Sequence, residues 1–115
     1  MALRTVTVLD NNVALVAGAG NHTSGLWTKS QLNTDAMLLV KLTNGTAPGV
    51  AAQFQIQVSS DNSNWFSLGG AIVGDIVGSS VNSWTIPISD SVNYIQVVSG
   101  SNTMNNVTIR VEVIG

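Results

Sequence analysis

The sequence predicts an all-β fold, an antiparallel β-sandwich of jelly-roll or immunoglobulin-like type with about eight or nine short strands. Three observations predict it. Ala52-Gln53-Phe54-Gln55-Ile56-Gln57-Val58 and Val107-Thr108-Ile109-Arg110-Val111-Glu112-Val113 alternate strictly between apolar and polar residues. That period of two sends one set of side chains to a core face and the other to water. Clusters of Gly, Asn, Asp and Ser recur every ~8–12 residues, the rhythm of turns between short strands. No stretch combines helical apolar spacing with capping residues over a helix length.

The elements follow in order. Arg4 to Leu9 reads as a first strand, with Val6 and Val8 inward and Thr5 and Thr7 outward. Asp10-Asn11-Asn12 is a turn cluster. Val13 to Ala17 reads as a second short strand, broken by Gly18-Ala19-Gly20-Asn21. Gly25 to Lys29 is another, carrying Trp27. Thr34-Asp35 resembles a helix start, but the apolar run from Ala36 to Val40 soon ends at Thr43-Asn44-Gly45. A short continuous apolar run predicts a central strand covered on both faces. Asn44 to Gly49 is a loop of turn formers. Val50 to Ser59 is the clearest strand; Asp61-Asn62-Ser63-Asn64 turns it, and Trp65 to Leu68 returns as its hairpin partner. The segment 69–78 is apolar but punctuated by Gly. Val81 to Ile88 places Trp84, Ile86 and Ile88 on one side. Pro87 cannot donate a ladder hydrogen bond, which puts this strand at an edge or ends it there. Val92 to Ser99 and Asn106 to Ile114 complete the set, separated by the turn Gly100 to Thr103.

At 115 residues the chain is expected to form one sandwich domain over 1–115, with 1–9 an N-terminal arm or exchanged strand. Only 9% of the residues are charged, and the net charge is −2. Weak self-repulsion favours packing against copies or partners. Arg4, Lys29, Lys41 and Arg110 are scattered and cannot neutralise many phosphates, so nucleic acid is not an expected partner. With no Cys, disulfides and thiolate metal sites are excluded. No signal-peptide pattern opens the chain, and no apolar run reaches the ~20 residues of a membrane span. The expectation is synthesis in a cytoplasm, without membrane association. The sequons at Asn21, Asn44 and Asn106 are expected to be incidental to an Asn- and Thr-rich composition.

The chemistry-bearing inventory is thin. His22, the single histidine, lies in a Gly/Asn/Thr loop beside Ser24 with no local acid to orient it. There is no nucleophile elbow and no phosphate-binding loop. Asp10, Asp61 and Asp90 stand beside Asn or Ser, where turn formation accounts for them. Asp61-Asn62-Ser63-Asn64 offers oxygen ligands but one charge, too little for a calcium loop. The chain is therefore expected not to be an enzyme and to need no cofactor or metal. Among the aromatics, Trp84 is expected in the core, Trp65 packed over its hairpin, and Trp27 exposed or in a subunit contact. Exposed Trp on such a sandwich also suits stacking on sugar rings, so a glycan is a possible partner. Two segments read as interface: 1–9, suited to strand addition at a neighbour's sheet edge, and the apolar Gly-rich segment 71–77. The interface residues expected are Leu3, Val6, Leu26, Trp27, Ile72, Val73, Ile76 and Val77.

Phe54-Gln55-Ile56-Gln57-Val58-Ser59-Ser60-Asp61-Asn62-Ser63-Asn64-Trp65-Phe66 resembles a pattern frequent in tailed-bacteriophage virion proteins. There an alternating strand ends in a Ser-Asp-Gly-x-x-Trp-like turn; Asn62 stands here where Gly is commonest. Asn93 to Gly100 followed by Val107 to Val113 resembles the closing hairpin of the same small modules. The whole profile is similar to phage head decoration (cement) proteins, which are of this size, nearly neutral, without Cys, and all-β. The resemblance implies a homo-oligomer, often a trimer, displayed on the virion capsid and clamping adjacent major capsid protein subunits. It carries over no individual functional residue. The alternative is a carbohydrate- or receptor-binding sandwich from a phage fibre or tail.

Overall fold

The alternating stretches become strands, and burial alternates with them. The computed structural model describes residues 5–29 and 35–115. Among these it has ten strands: β1 (Val6–Leu15), β2 (His22–Thr23), β3 (Trp27–Thr28), β4 (Ala36–Asn44), β5 (Gln53–Ser59), β6 (Phe66–Ser67), β7 (Ile72–Val73), β8 (Val81–Ile88), β9 (Tyr94–Gly100) and β10 (Val107–Ile114). In β10, Val107, Ile109, Val111 and Val113 are buried; in β5, Phe54 and Ile56; in β4, Ala36, Leu38, Val40 and Leu42; in β9, Ile95 and Val97. These side chains form one core between two sheets. Each large one contributes roughly 1.5–3 kcal/mol relative to an exposed position. Trp84 closes the core at one side, its ring edge-on to Phe54 at 5.1 Å between centroids and 66° between planes.

The first sheet has the order β1-β10-β4-β8, the second β2-β9-β5-β6, with β3 also pairing β9 and β7 also pairing β5; every pairing is antiparallel. The edges of the second sheet are interrupted strands. Between β2 and β3, Ser24 continues the ladder: its N–H donates to the Val97 carbonyl at 2.8 Å, and its Oγ accepts from the Val97 N–H at 2.9 Å. The chain stays bonded to β5 just after β6, through Leu68 N–H to Ile56 O, and just after β7, through Gly74 N–H to Ala52 O. With each interrupted edge taken as one strand, the chain changes sheet at every connection except that between β5 and β6. That connectivity is the jelly roll, two nested Greek keys, rather than the immunoglobulin arrangement.

Four local expectations are corrected. In the first half of β1, Val6 and Val8 face outward, 54% and 44% exposed, not inward. Their partners on β10 are Ile114 and Glu112, which face outward, while Thr7 lies opposite buried Val113. Register shifts between Val8 and Asp10 and between Asp10 and Val13, where Asn12 takes φ 52°, insert two extra residues. Each flips the faces, so the two cancel, and Thr7, Val13 and Leu15 share the inward face with Asp10 turned in between them. Asp10-Asn11-Asn12 is accordingly no turn, and the two short strands expected there are one. Strand β4 is covered on one face only, with Met37 and Leu39 half-exposed on the other. Finally, β9 and β10 lie in different sheets, so the segment between them crosses the sandwich and does not close a hairpin. The edge position expected for the Pro87 strand is observed: β8 borders the first sheet. The hairpin of β5 and β6 also forms.

Candidate interaction surfaces

Among the described residues no group of three or more His, Asp or Glu converges on a common point. His22 meets one carboxylate: its Nε2 lies 2.9 Å from Oδ1 of buried Asp10, while Oδ2 of Asp10 has no partner. This pair spans the seam where the bulge of β1 approaches β2, beside the bond from Gly25 N–H to Leu9 O at 3.1 Å. It joins the edges of the two sheets.

What the molecule does present is three surfaces. The first is the outer face of the first sheet. Cross-strand register assembles it in rows: Val6, Ile114, Met37 and Pro87; then Val8, Glu112, Leu39 and Thr85; then Arg110, Lys41 and Ser83. The first row is wholly apolar, and the second adds Val8 and Leu39. Arg110 ends this apolar area; its Nη2 donates to Glu112 Oε1 at 2.9 Å and its Nη1 to Asn11 Oδ1. A shallow depression of about 220 Å³ opens among Leu39, Lys41, Ser83, Thr85, Arg110 and Glu112.

The second surface is the segment 71–80. Ile72 pairs opposite Phe54 and is half-buried, whereas Val73, Ile76 and Val77 are exposed. Buried Asn44 at the end of β4 ties this segment down, its Nδ2 lying 2.9 Å from Asp75 Oδ1 and 3.0 Å from the carbonyls of Asp75 and Val77. Asp75 also accepts from Ser80 Oγ at 2.6 Å and from the Val77 N–H at 3.1 Å. Led by the Ser80 hydroxyl and then the Asn82 side chain, these donors hold the Asp75 carboxyl below its ordinary value. The exposed valines and Ile76 therefore sit on a fixed scaffold.

The third surface is the outer face of the second sheet. Its rows are Thr28, Tyr94 and Ser59; Gln96, Gln57 and Ser67; and Thr23, Val98 and Gln55. Trp65 lies two residues before Ser67 and so on the same face, half-buried. Gln96 Nε2 donates across the strands to Gln57 Oε1 at 2.7 Å. A notch of about 60 Å³ at the far end is lined by polar residues including Asn21, Gln53, Gln55 and Ser101.

The expected interface residues are thus dispersed. Val6 belongs to the first surface and Ile72, Val73, Ile76 and Val77 to the second. Leu26 is exposed on the segment before β3. Trp27, expected exposed or in a subunit contact, is 5% exposed and part of the core. Its strand pairs with β9 at Ile95, which turns the indole inward. Leu3 and the start of the arm 1–9 lie outside the described residues. Sequence reasoning included Val8 within the interface arm 1–9 but missed Met37, Leu39 and Ile114, because their common face exists only once β1, β10 and β4 are in register.

No family model matches the chain, and no curated protein matches it in sequence. Solved structures do match it, and what they share is the sandwich fold. The structure of infectious bursal disease virus, Gx strain, aligns with a TM-score of 0.61 at 10% identity, over 96% of this chain and 31% of that one. The enzymatically active domain of bacteriophage CBA120 tailspike protein 4 aligns with 0.59 at 13% identity, over 100% and 18%. A family 16 carbohydrate-binding module aligns with 0.50 at 12% identity, over 96% and 83%. The chain spans less than a third of the length of the first two. A fold of this kind carries many functions, so the surfaces must decide between them.

Proposed function

We propose that this chain is a non-catalytic virion module, most simply a capsid decoration protein, that seats the outer face of its first sheet on the capsid surface. There it bridges junctions between major capsid protein subunits as a homo-oligomer, a trimer by the resemblance noted above. The observation that carries this reading is the apolar area of Val6, Val8, Met37, Leu39, Pro87 and Ile114 on one open sheet face. Burying it removes exposed apolar surface from water, the usual mark of an association site. The likeness to a virus structure and a phage tailspike domain supports the setting, and jelly rolls recur in viral capsid and lectin domains.

The mechanism is mechanical. Four strands about 4.8 Å apart and about 25 Å long offer a face of roughly 500 Å², a modest contact. Repeated across a shell, weak contacts add through multivalency. Low charge keeps neighbouring copies from repelling one another.

Sedimentation of a lysate from the natural source tests the reading. The chain is expected to travel with capsid-sized particles in copy number comparable to the shell protein, and Leu39→Lys is expected to release it. A few copies per particle would move it to the neck, tail or fibre. A slow soluble fraction alone would overturn the virion assignment.

A further inference from the structure

The outer face of the second sheet is chemically unlike that of the first. Its strand positions carry no charged side chain: they are Thr23, Thr28, Gln53, Gln55, Gln57, Ser59, Ser67, Tyr94, Gln96, Val98 and Gly100, with exposed Val73 at the edge opposite Gln53 and Trp65 beside Ser67. Of the chain's six aromatic residues, Phe54 and Trp27 are buried and Trp84 packs on Phe54. The other three gather at one corner of this sheet. Tyr94 and Trp65 are half-buried on the outer face, and Phe66, 66% exposed, sits at the adjoining edge.

We infer that this face is a binding platform for an uncharged polysaccharide, whose rings lie across Tyr94 and Trp65 while its hydroxyls bond to Gln57 and Gln96. The apolar C–H face of a pyranose packs on an aromatic face, and Tyr and Trp supply a rigid ring with a polar tip. A hydroxyl is both donor and acceptor, so a pair of neighbouring hydroxyls is matched by a donor and an acceptor held side by side. The Gln96–Gln57 bond creates that pair: it uses Gln96 Nε2 and Gln57 Oε1, leaving a Gln57 amide donor and the Gln96 carbonyl for a ligand. Because the two amides already restrain each other, less side-chain entropy is lost on binding. No strand position of the face carries an ion, and the Asp61 carboxylate bonded to Ser59 at its corner is held by its own donors, so a neutral chain docks without stripping it while an anionic one finds no counter-charge and is repelled.

The shape selects the ligand further. The face is an open sheet, not a closed pocket, and Gln53 to Gln57 alone spans roughly 13 Å. Internal segments of a long chain fit it better than a free monosaccharide. At its far end the small notch of Asn21, Gln53, Gln55 and Ser101 is too small for a ring and suits a projecting hydroxymethyl group. Gly100 borders this notch, and a Cβ there would come within 3.1 Å of Asn21 Oδ1.

Affinity electrophoresis of the whole chain tests the inference, with gels containing a linear β-glucan, dextran, a galactomannan or, as the anionic control, polygalacturonate. Retardation is expected in at least one neutral gel and not in polygalacturonate. Tyr94→Ala and Gln57→Glu are each expected to weaken the apparent affinity at least tenfold. Tyr94→Phe is expected to retain it, as is Leu39→Lys on the opposite sheet. Gln57→Glu is nearly isosteric, and its thermal unfolding curve separates lost binding from lost fold. No retardation in any neutral gel, equal retardation in polygalacturonate, or full affinity in Gln57→Glu would each overturn the inference. None of these outcomes depends on the capsid reading.

Discussion

At the scale of single residues, Asn44 shows how a polar side chain can organise an apolar surface. It ends β4, is buried, and bonds through its side chain to Asp75 and Val77, more than thirty positions along the chain. Its backbone N–H donates to Ser80 O at 2.9 Å. In the sequence, Asn44 reads as a sequon and a turn former, and nothing local reveals a partner so distant. Asn44→Ala would leave the carbonyls of Asp75 and Val77 without this donor, at a cost of about 1–3 kcal/mol. Urea unfolding should show that loss, and faster amide exchange confined first to 71–80 should accompany it. Trp27 teaches the converse. Its surroundings in the sequence are loop-like, yet a two-residue strand paired with β9 is enough to bury it.

At the scale of elements, alternation is legible wherever a strand is regular. Strands β5, β9 and β10 follow the period of two, and their inward residues are those the sequence marks. The reading fails at β1 because Val6 and Val8 are apolar residues on the outer face, opposite Ile114 and Glu112, and because Asp-Asn-Asn suits a bulge as well as a turn. The turn after β5 is legible for a specific reason. Asp61 accepts from the backbone N–H groups of Asn64 at 2.8 Å and Ser63 at 2.9 Å, while Asn62 tolerates φ 61° as the Gly common in the resembling turns would. The Asn64 and then the Ser63 N–H, reinforced by the Asn64 side chain, hold the Asp61 carboxyl well below the usual carboxylate range. Asp75 is lowered as well. Folding thus favours the ionised form of both. Their contribution is complete above the unfolded value of 3.8 and is lost as pH falls towards the folded values. The urea midpoint should therefore drop below about pH 4, and Asp61→Asn should make that acid limb shallower.

At the scale of the whole molecule, the jelly roll turns one chain into two opposed plates. The core uses the inward residues of both sheets, so each outer face is free to be chosen by function. One outer face collects Val6, Val8, Met37, Leu39 and Ile114, and the other collects Tyr94, Trp65 and a glutamine pair. The sequence holds all of these residues but not their grouping, which depends on strand order and on a register set across strands distant in sequence. A plate that seats on a shell leaves the opposite plate pointing outward, where a polysaccharide can reach it. The two activities should then be separable. Val8→Lys with Leu39→Lys places two cations on the docking face without touching the core, and should abolish co-sedimentation with particles while leaving retardation in a neutral polysaccharide gel unchanged. Tyr94→Ala should do the reverse. Since the faces share no side chain and lie on opposite sides of a packed core, the combined variant should lose both properties, each by the same factor as alone. Loss of polysaccharide binding in the lysine variant, with an unchanged unfolding curve, would show that the two plates are coupled through the core.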